Sequence, residues 1–117
     1  MPDDLKRRTK GFAKMIVELC RQIPDTREGR LVRDQLFRAG TSVGANYRAA
    51  CRARSKAEFI SKMGIVLEEA DESLYWLEIL GETRIMAGEK LMPAMTEANE
   101  LIAIFVTSLR TAKSPTG

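Results

Sequence analysis

Along this chain the apolar positions recur every three to four residues over four long stretches, and no stretch shows the two-residue alternation of a strand. The first stretch places Leu5, Phe12, Ile16, Leu19 and Ile23 in one sector of a helical wheel, and Pro24-Asp25 closes it. The second repeats Val32, Leu36, Ala39, Val43, Asn46 and Ala50 near heptad spacing. The third runs through Phe59, Met63, Val66, Leu67, Ala70, Leu74, Leu77 and Gly81, and the fourth through Leu91, Met95, Ala98, Ile102, Phe105, Val106 and Leu109. These patterns predict helices over about residues 4–22, 28–53, 56–83 and 90–112. The breaks between them are short, so consecutive helices pack antiparallel. The fold class expected is all-α, an antiparallel up-down-up-down four-helix bundle forming a single domain over residues 1–117.

Local signals sharpen this reading. Ser55-Lys56-Ala57-Glu58 has the form of a capping box at the start of the third helix, with the Ser55 hydroxyl accepting from the Glu58 amide and the Glu58 side chain reaching back to Ser55. Pro93 is tolerated only in a first turn, which places the start of the fourth helix near Glu89 or Lys90. The tail from Ser114 to Gly117 reads as frayed. The middle of the second helix is small: Ala39, Gly40, Ser42, Gly44 and Ala45. Two interior glycines cost about 1 kcal/mol each relative to alanine. Either close approach of a neighbouring helix offsets that cost, or the helix kinks between Gly40 and Gly44.

Charge changes the picture more than composition does. The net charge is only +3, yet residues 1–62 hold 15 Lys and Arg against 7 Asp and Glu, while residues 63–117 hold 4 against 9. Such asymmetry marks either a polyanion-binding face or two helical pairs that attract each other across the bundle. On the second helix Arg27, Arg30, Arg38, Arg48 and Arg52 share a sector roughly 80° wide, pointing away from the apolar seam. Arg7, Lys10, Lys14 and Arg21 do likewise on the first. A solvated charged face is one explanation, and a phosphate-tracking surface is the other. Within the ridge no aromatic is interleaved to stack bases, so sequence-specific RNA readout is not supported. The cations expected to contact nucleic acid or a second subunit are Arg7, Lys10, Lys14, Arg38, Arg48 and Arg52.

A second apolar patch lies on the third helix. Ile65, Trp76 and Ile79 fall away from Met63, Ala70 and Leu77, with Tyr75 flanking them, and Leu101 and Ile104 lie off the main stripe of the fourth helix. A helix apolar on two sides has a second neighbour, so this patch predicts a subunit interface, or else a broader intramolecular core. Asn46 falls near the apolar stripe and is expected to hydrogen-bond across helices and fix the packing register.

Catalytic chemistry finds no foothold. There is no histidine, and the acidic residues of the third helix form no inward-facing set on two helices, so neither a metal site nor a catalytic residue is predicted and no cofactor is implied. Thr41 and Ser42 lack a base and a glycine elbow. Cys20 and Cys51 show no metal-ligand spacing and read as reduced packing thiols. No apolar run reaches the roughly 20 residues that cross a bilayer, and the polar N-terminus carries no signal-peptide pattern, so no membrane association and a cytoplasmic location are expected.

The run from Gln35 to Tyr47, Gln35-Leu36-Phe37-Arg38-Ala39-Gly40-Thr41-Ser42-Val43-Gly44-Ala45-Asn46-Tyr47, resembles the signature of the bacterial four helix bundle protein family, also called the 23S ribosomal RNA intervening-sequence protein family. Arg54-Ser55 and Glu58-Phe59 resemble that family's entry into its third helix, and the likeness continues through Glu68, Ala70, Ser73 and Leu74, spanning about Leu5 to Leu109. Where the family commonly has Ala-Glu-Gly, this chain has Arg48-Ala49-Ala50, so any role of that glutamate does not carry over. The resemblance implies an antiparallel four-helix bundle assembled as a homopentamer. It also implies kinship with accessory variability proteins of diversity-generating retroelements, which work with a reverse transcriptase and nucleic acid. The function expected is a non-enzymatic homo-oligomeric scaffold that binds RNA, DNA or a nucleic-acid enzyme through its basic face. The alternative is a protein–protein adaptor whose arginines serve subunit ion pairs.

Overall fold

The computed structural model describes residues 2–115, with side chains described from Asp4. Thr116 and Gly117 of the tail lie outside the described residues. Four helices follow in order: α1 (Pro2–Cys20), α2 (Arg27–Cys51), α3 (Lys56–Glu82) and α4 (Gly88–Lys113). They form the antiparallel four-helix bundle expected, an elongated body of 49 × 21 × 19 Å. Each helix packs on its two neighbours in a closed square, and the α1–α4 edge is the sparsest.

The helix ends explain themselves locally. α1 stops at Cys20, two residues short of the expected end, and Ile23 plugs the core from the turn that follows. The Thr26 hydroxyl caps α2 by accepting from the Gly29 amide at 3.0 Å. Gly29 is required there, because a Cβ would sit 2.2 Å from the Pro24 carbonyl oxygen. α2 ends at Cys51 rather than near residue 53, its last carbonyls on Ala49 and Ala50 accepting from the Arg52 amide. The capping box forms with one difference. Ser55 accepts from the Glu58 amide at 3.0 Å, but the Glu58 carboxylate accepts from the Arg54 amide at 3.1 Å, not from Ser55. α4 begins at Gly88, so Pro93 lies in its second turn rather than its first. The ring is exposed, and the Glu89 carbonyl loses its helical donor on the wet side.

α2 is unbroken through Gly40 and Gly44, which settles the choice between kink and close approach. A Cβ on Gly40 would lie 2.7 Å from Ile16, and one on Gly44 would lie 3.2 Å from the Thr9 hydroxyl oxygen. The two glycines let α1 seat directly on the α2 backbone, and the packing gained offsets their low helix propensity. Thr9 is fully buried at this crossing, its hydroxyl donating to the Lys6 carbonyl at 3.2 Å.

The core follows the predicted stripes in the main, although Phe59, Leu67, Leu74 and Met95 are only partly buried. Leu101, placed off the main stripe of the fourth helix, is fully buried, whereas Val106 is exposed and Ile102 only half-buried. Leu80 and Ser73 likewise belong to the buried face of α3, and the Ser73 hydroxyl donates to the Glu69 carbonyl at 2.8 Å. Over 26 or 27 residues a stripe drifts around a straight helix, which a fixed list of positions does not follow.

Candidate functional site

The basic residues of α1 and α2 divide into two groups. Arg38 stands at the edge of its sector nearest α3. Its Nη1 donates to both carboxylate oxygens of Glu69 at 3.2 Å, and its Nη2 donates to Glu72. Glu72 and then Glu69 raise the Arg38 pKa, and Arg38 together with the Trp76 indole holds Glu72 below the ordinary carboxylate value. Arg8, not singled out from the sequence, does the same on the opposite flank. Its Nε and Nη2 form a fork on Glu97 at 2.7 and 2.9 Å, and Nη2 also donates to Glu100. The fork on Glu97 foremost raises the Arg8 pKa against the opposing effect of burial. Part of the charge asymmetry is therefore internal, holding the basic helices α1 and α2 onto carboxylates of α3 and α4.

Arg21, Arg30 and Arg33 have local partners, Glu18 at 2.9 Å, Asp25 at 3.0 Å and Asp34 at 3.9 Å, and other cations of the two helices have weaker contacts or none. Arg7 sits 3.8 Å from Asp4, both exposed, a weak contact. Lys10, Lys14, Arg48 and Arg52 are exposed, and among the described residues none of them has a carboxylate within ion-pair distance. Lys6 is half-buried and likewise has no carboxylate within ion-pair distance among the described residues. Lys6, Lys10 and Lys14 follow one another at intervals of four residues, as do Arg48 and Arg52. Like charges at that spacing repel by a few tenths of a kcal/mol per pair, so the face carries electrostatic cost that an anion would relieve.

Two depressions line the α1–α2 seam. The smaller, about 150 Å³, is rimmed by Lys6, Lys10 and Arg48 and lined by Ala13, Gly44 and Ala45. It exists because the glycine crossing brings the helices close without side chains to fill the gap. The Thr41 hydroxyl on its wall donates to the Phe37 carbonyl at 2.7 Å and is not free to donate outward. The larger, about 480 Å³, is lined by Val17, Cys20, Arg33 and Phe37 among others. Phe37 is 45% exposed there, which corrects the expectation that no aromatic lies among the cations. It precedes Arg48 by three helical turns, so the two share one line along α2. That register is present in the sequence, where Phe37 stands between Leu36 and Arg38 within the run from Gln35 to Tyr47. The Cys20 thiol is buried against this depression, its pKa pushed up to about 11 by desolvation, which suits a packing thiol.

The predicted apolar patch is split. Ile65 and Tyr75 are 42% and 52% exposed, while Trp76 and Ile79 turn partly inward and pack against the core. Trp76 is held there by its indole N–H, which donates to Glu72 at 3.1 Å. Asn46 corrects another expectation. Its amide donates to the Ser42 carbonyl at 2.8 Å within its own helix, and among the described residues it makes no bond across the bundle. Tyr47, one residue on, takes the buried position, with its ring centroid 6.3 Å from that of Phe105.

Among the described residues no group of three His, Cys, Asp or Glu side chains is placed to hold a metal ion, and no helix is long and apolar enough to cross a membrane. The family described as 23S rRNA-intervening sequence protein matches the chain over residues 4–107. Among solved structures, a protein of unknown function from the S23 ribosomal protein family of Bacteroides thetaiotaomicron VPI-5482 is similar: 34% identical, with a TM-score of 0.83, covering 89% of this chain and 96% of that one. No protein with a curated description matches.

Proposed function

The chain belongs to the 23S rRNA-intervening sequence protein family, and we propose that it is a non-enzymatic, homo-oligomeric scaffold whose α1–α2 face binds the phosphate backbone of nucleic acid. One observation carries this reading: Lys10 and Arg48 rim a depression of the α1–α2 seam, and they and the exposed Lys14 and Arg52 have no carboxylate partner among the described residues, in a chain that pairs Arg8 and Arg38 elsewhere. Unpaired cations on a rigid double-helix edge track a polyanion by counterion release and need no base contact. The exposed Ile65 and Tyr75 on α3 lie away from that seam and support self-association, for which the family resemblance implies a pentamer.

The test is fluorescence anisotropy of labelled RNA and DNA against salt. Four phosphate contacts give a log–log salt slope of about −3. A purified, nuclease-treated protein that shifts neither nucleic acid at low salt overturns the reading. It would leave the α1–α2 arginines as ion-pairing partners for another protein surface.

A further inference from the structure

We infer that the α1–α2 seam is built for a single strand, with a phosphate seat at Lys6, Lys10 and Arg48 and a base seat at Phe37. The inference rests on the nucleic-acid reading above and adds the class of ligand to it.

The two depressions differ in chemistry. In the larger one the charges cancel locally: Arg21 pairs with Glu18 at 2.9 Å, and Arg33 lies 3.9 Å from Asp34. What remains is apolar, formed by Val17, Cys20 and the exposed ring of Phe37. At about 480 Å³ it falls within the range of roughly 300–1,000 Å³ that takes a flat organic group. The smaller one, about 150 Å³, is below that range, and its rim is cationic without local acids. A neutral apolar seat suits a base, and a small cationic seat suits one phosphate.

The seats are joined. A shallow trough along α1 shares Lys10 and Ala13 with the phosphate seat, and Val17 and Arg21 with the base seat. Eleven residues of α2 separate Phe37 from Arg48, about 16 Å at 1.5 Å per residue. That is the length of about five stacked nucleotides. A duplex keeps its base faces inside the stack and cannot offer one to Phe37, whereas a single strand can.

The experiment compares anisotropy of one labelled single strand of about 16 nucleotides with its duplex. It uses wild-type protein, Phe37→Ala, Phe37→Trp, Lys10→Gln/Arg48→Gln and the equal-charge control Arg27→Gln/Arg52→Gln, at exposed arginines that line neither seat nor the trough. Phe37→Ala should lower single-strand affinity roughly five- to a hundred-fold and leave duplex affinity unchanged, and Phe37→Trp should retain binding. Lys10→Gln/Arg48→Gln should lose more than the control pair. Inorganic phosphate should compete only weakly, since one seat alone holds it. Equal loss on strand and duplex, or no loss on either, removes the base seat while the polyanion reading stands. So does an effect of Phe37→Ala on native mass alone, which would make the ring a subunit contact. Equal losses from the two charge pairs remove the phosphate seat. Wild-type protein that binds neither probe sinks both this inference and the reading beneath it.

Discussion

Trp76 and Glu72, one turn apart on α3, are joined by a bond of 3.1 Å from the indole N–H to the carboxylate. The same carboxylate accepts from Arg38 of α2, so a single acid orders an indole on its own helix and a guanidinium on the next. Glu72 is therefore held below its ordinary value of 4.5, by Arg38 first and Trp76 second. A carboxyl lowered in the folded state stabilises above the unfolded value, and that contribution is lost as pH falls through the lower folded value. Glu72→Gln should destabilise the protein near neutral pH by less than about 1 kcal/mol, since the pair is partly exposed. Below about pH 4.5 the gap to wild type should narrow. Urea melts across that range measure it, and a gap constant with pH would show that the carboxylate charge does not matter.

Gly40 and Gly64 offer an opposed pair of alanine substitutions. A Cβ on Gly40 would press to 2.7 Å on Ile16, a fully buried, β-branched side chain with little freedom to move. The overpacking, about 1–3 kcal/mol, exceeds the gain of about 1 kcal/mol in helix propensity. Gly64 has nothing within 4 Å of the same position. Gly40→Ala should lower stability and Gly64→Ala should raise it by up to about 1 kcal/mol. Equal effects in denaturant melts would mean that α1 does not sit on α2 as closely as described.

The fold was legible in the sequence because amphipathic periodicity survives without knowledge of neighbours. The site was legible only in part, for three physical reasons. A helical wheel places Arg38 and Arg48 in one sector but does not say that α3 offers Glu69 and Glu72 to the first and nothing to the second. It ranks Asn46 as near-core, although a rotation of a few tens of degrees puts Tyr47 inside and leaves the amide bonded to Ser42. Arg8 and Thr9 gain their meaning only from what crosses α1, a carboxylate pair on α4 and Gly44 on α2.

Arg84, in the turn after α3, holds φ at 63°, in the left-handed region. Its amide donates to the Gly81 carbonyl at 3.1 Å, and the next turn brings Met86 into the core. The left-handed conformation costs a residue with a Cβ about 1–2 kcal/mol, and glycine avoids it at a smaller entropic cost to folding. Arg84→Gly should stabilise by about 0.5–1 kcal/mol, read as a higher denaturant midpoint with an unchanged slope. A lower midpoint would mean that the Arg84 side chain contributes more than its backbone costs.

Ile65 and Tyr75 are the better probes of assembly than Trp76, although all three were expected on one interface. Trp76 is half-buried and bonded to Glu72, and Tyr75 meets it edge-on with ring centroids 5.0 Å apart. Removing the indole would disturb the α2–α3 packing, so a lost oligomer in that variant would carry no information about the surface. Ile65 and Tyr75 expose their side chains to solvent, and a carboxylate there costs the lone chain little. A buried, unpaired charge at an interface is far more costly. Ile65→Glu/Tyr75→Glu should therefore reduce the native mass to the 13.1 kDa of one chain while leaving helicity intact. An unchanged mass by light scattering would assign self-association to another face, and a wild-type protein already monomeric at micromolar concentration would remove the scaffold from the proposed function.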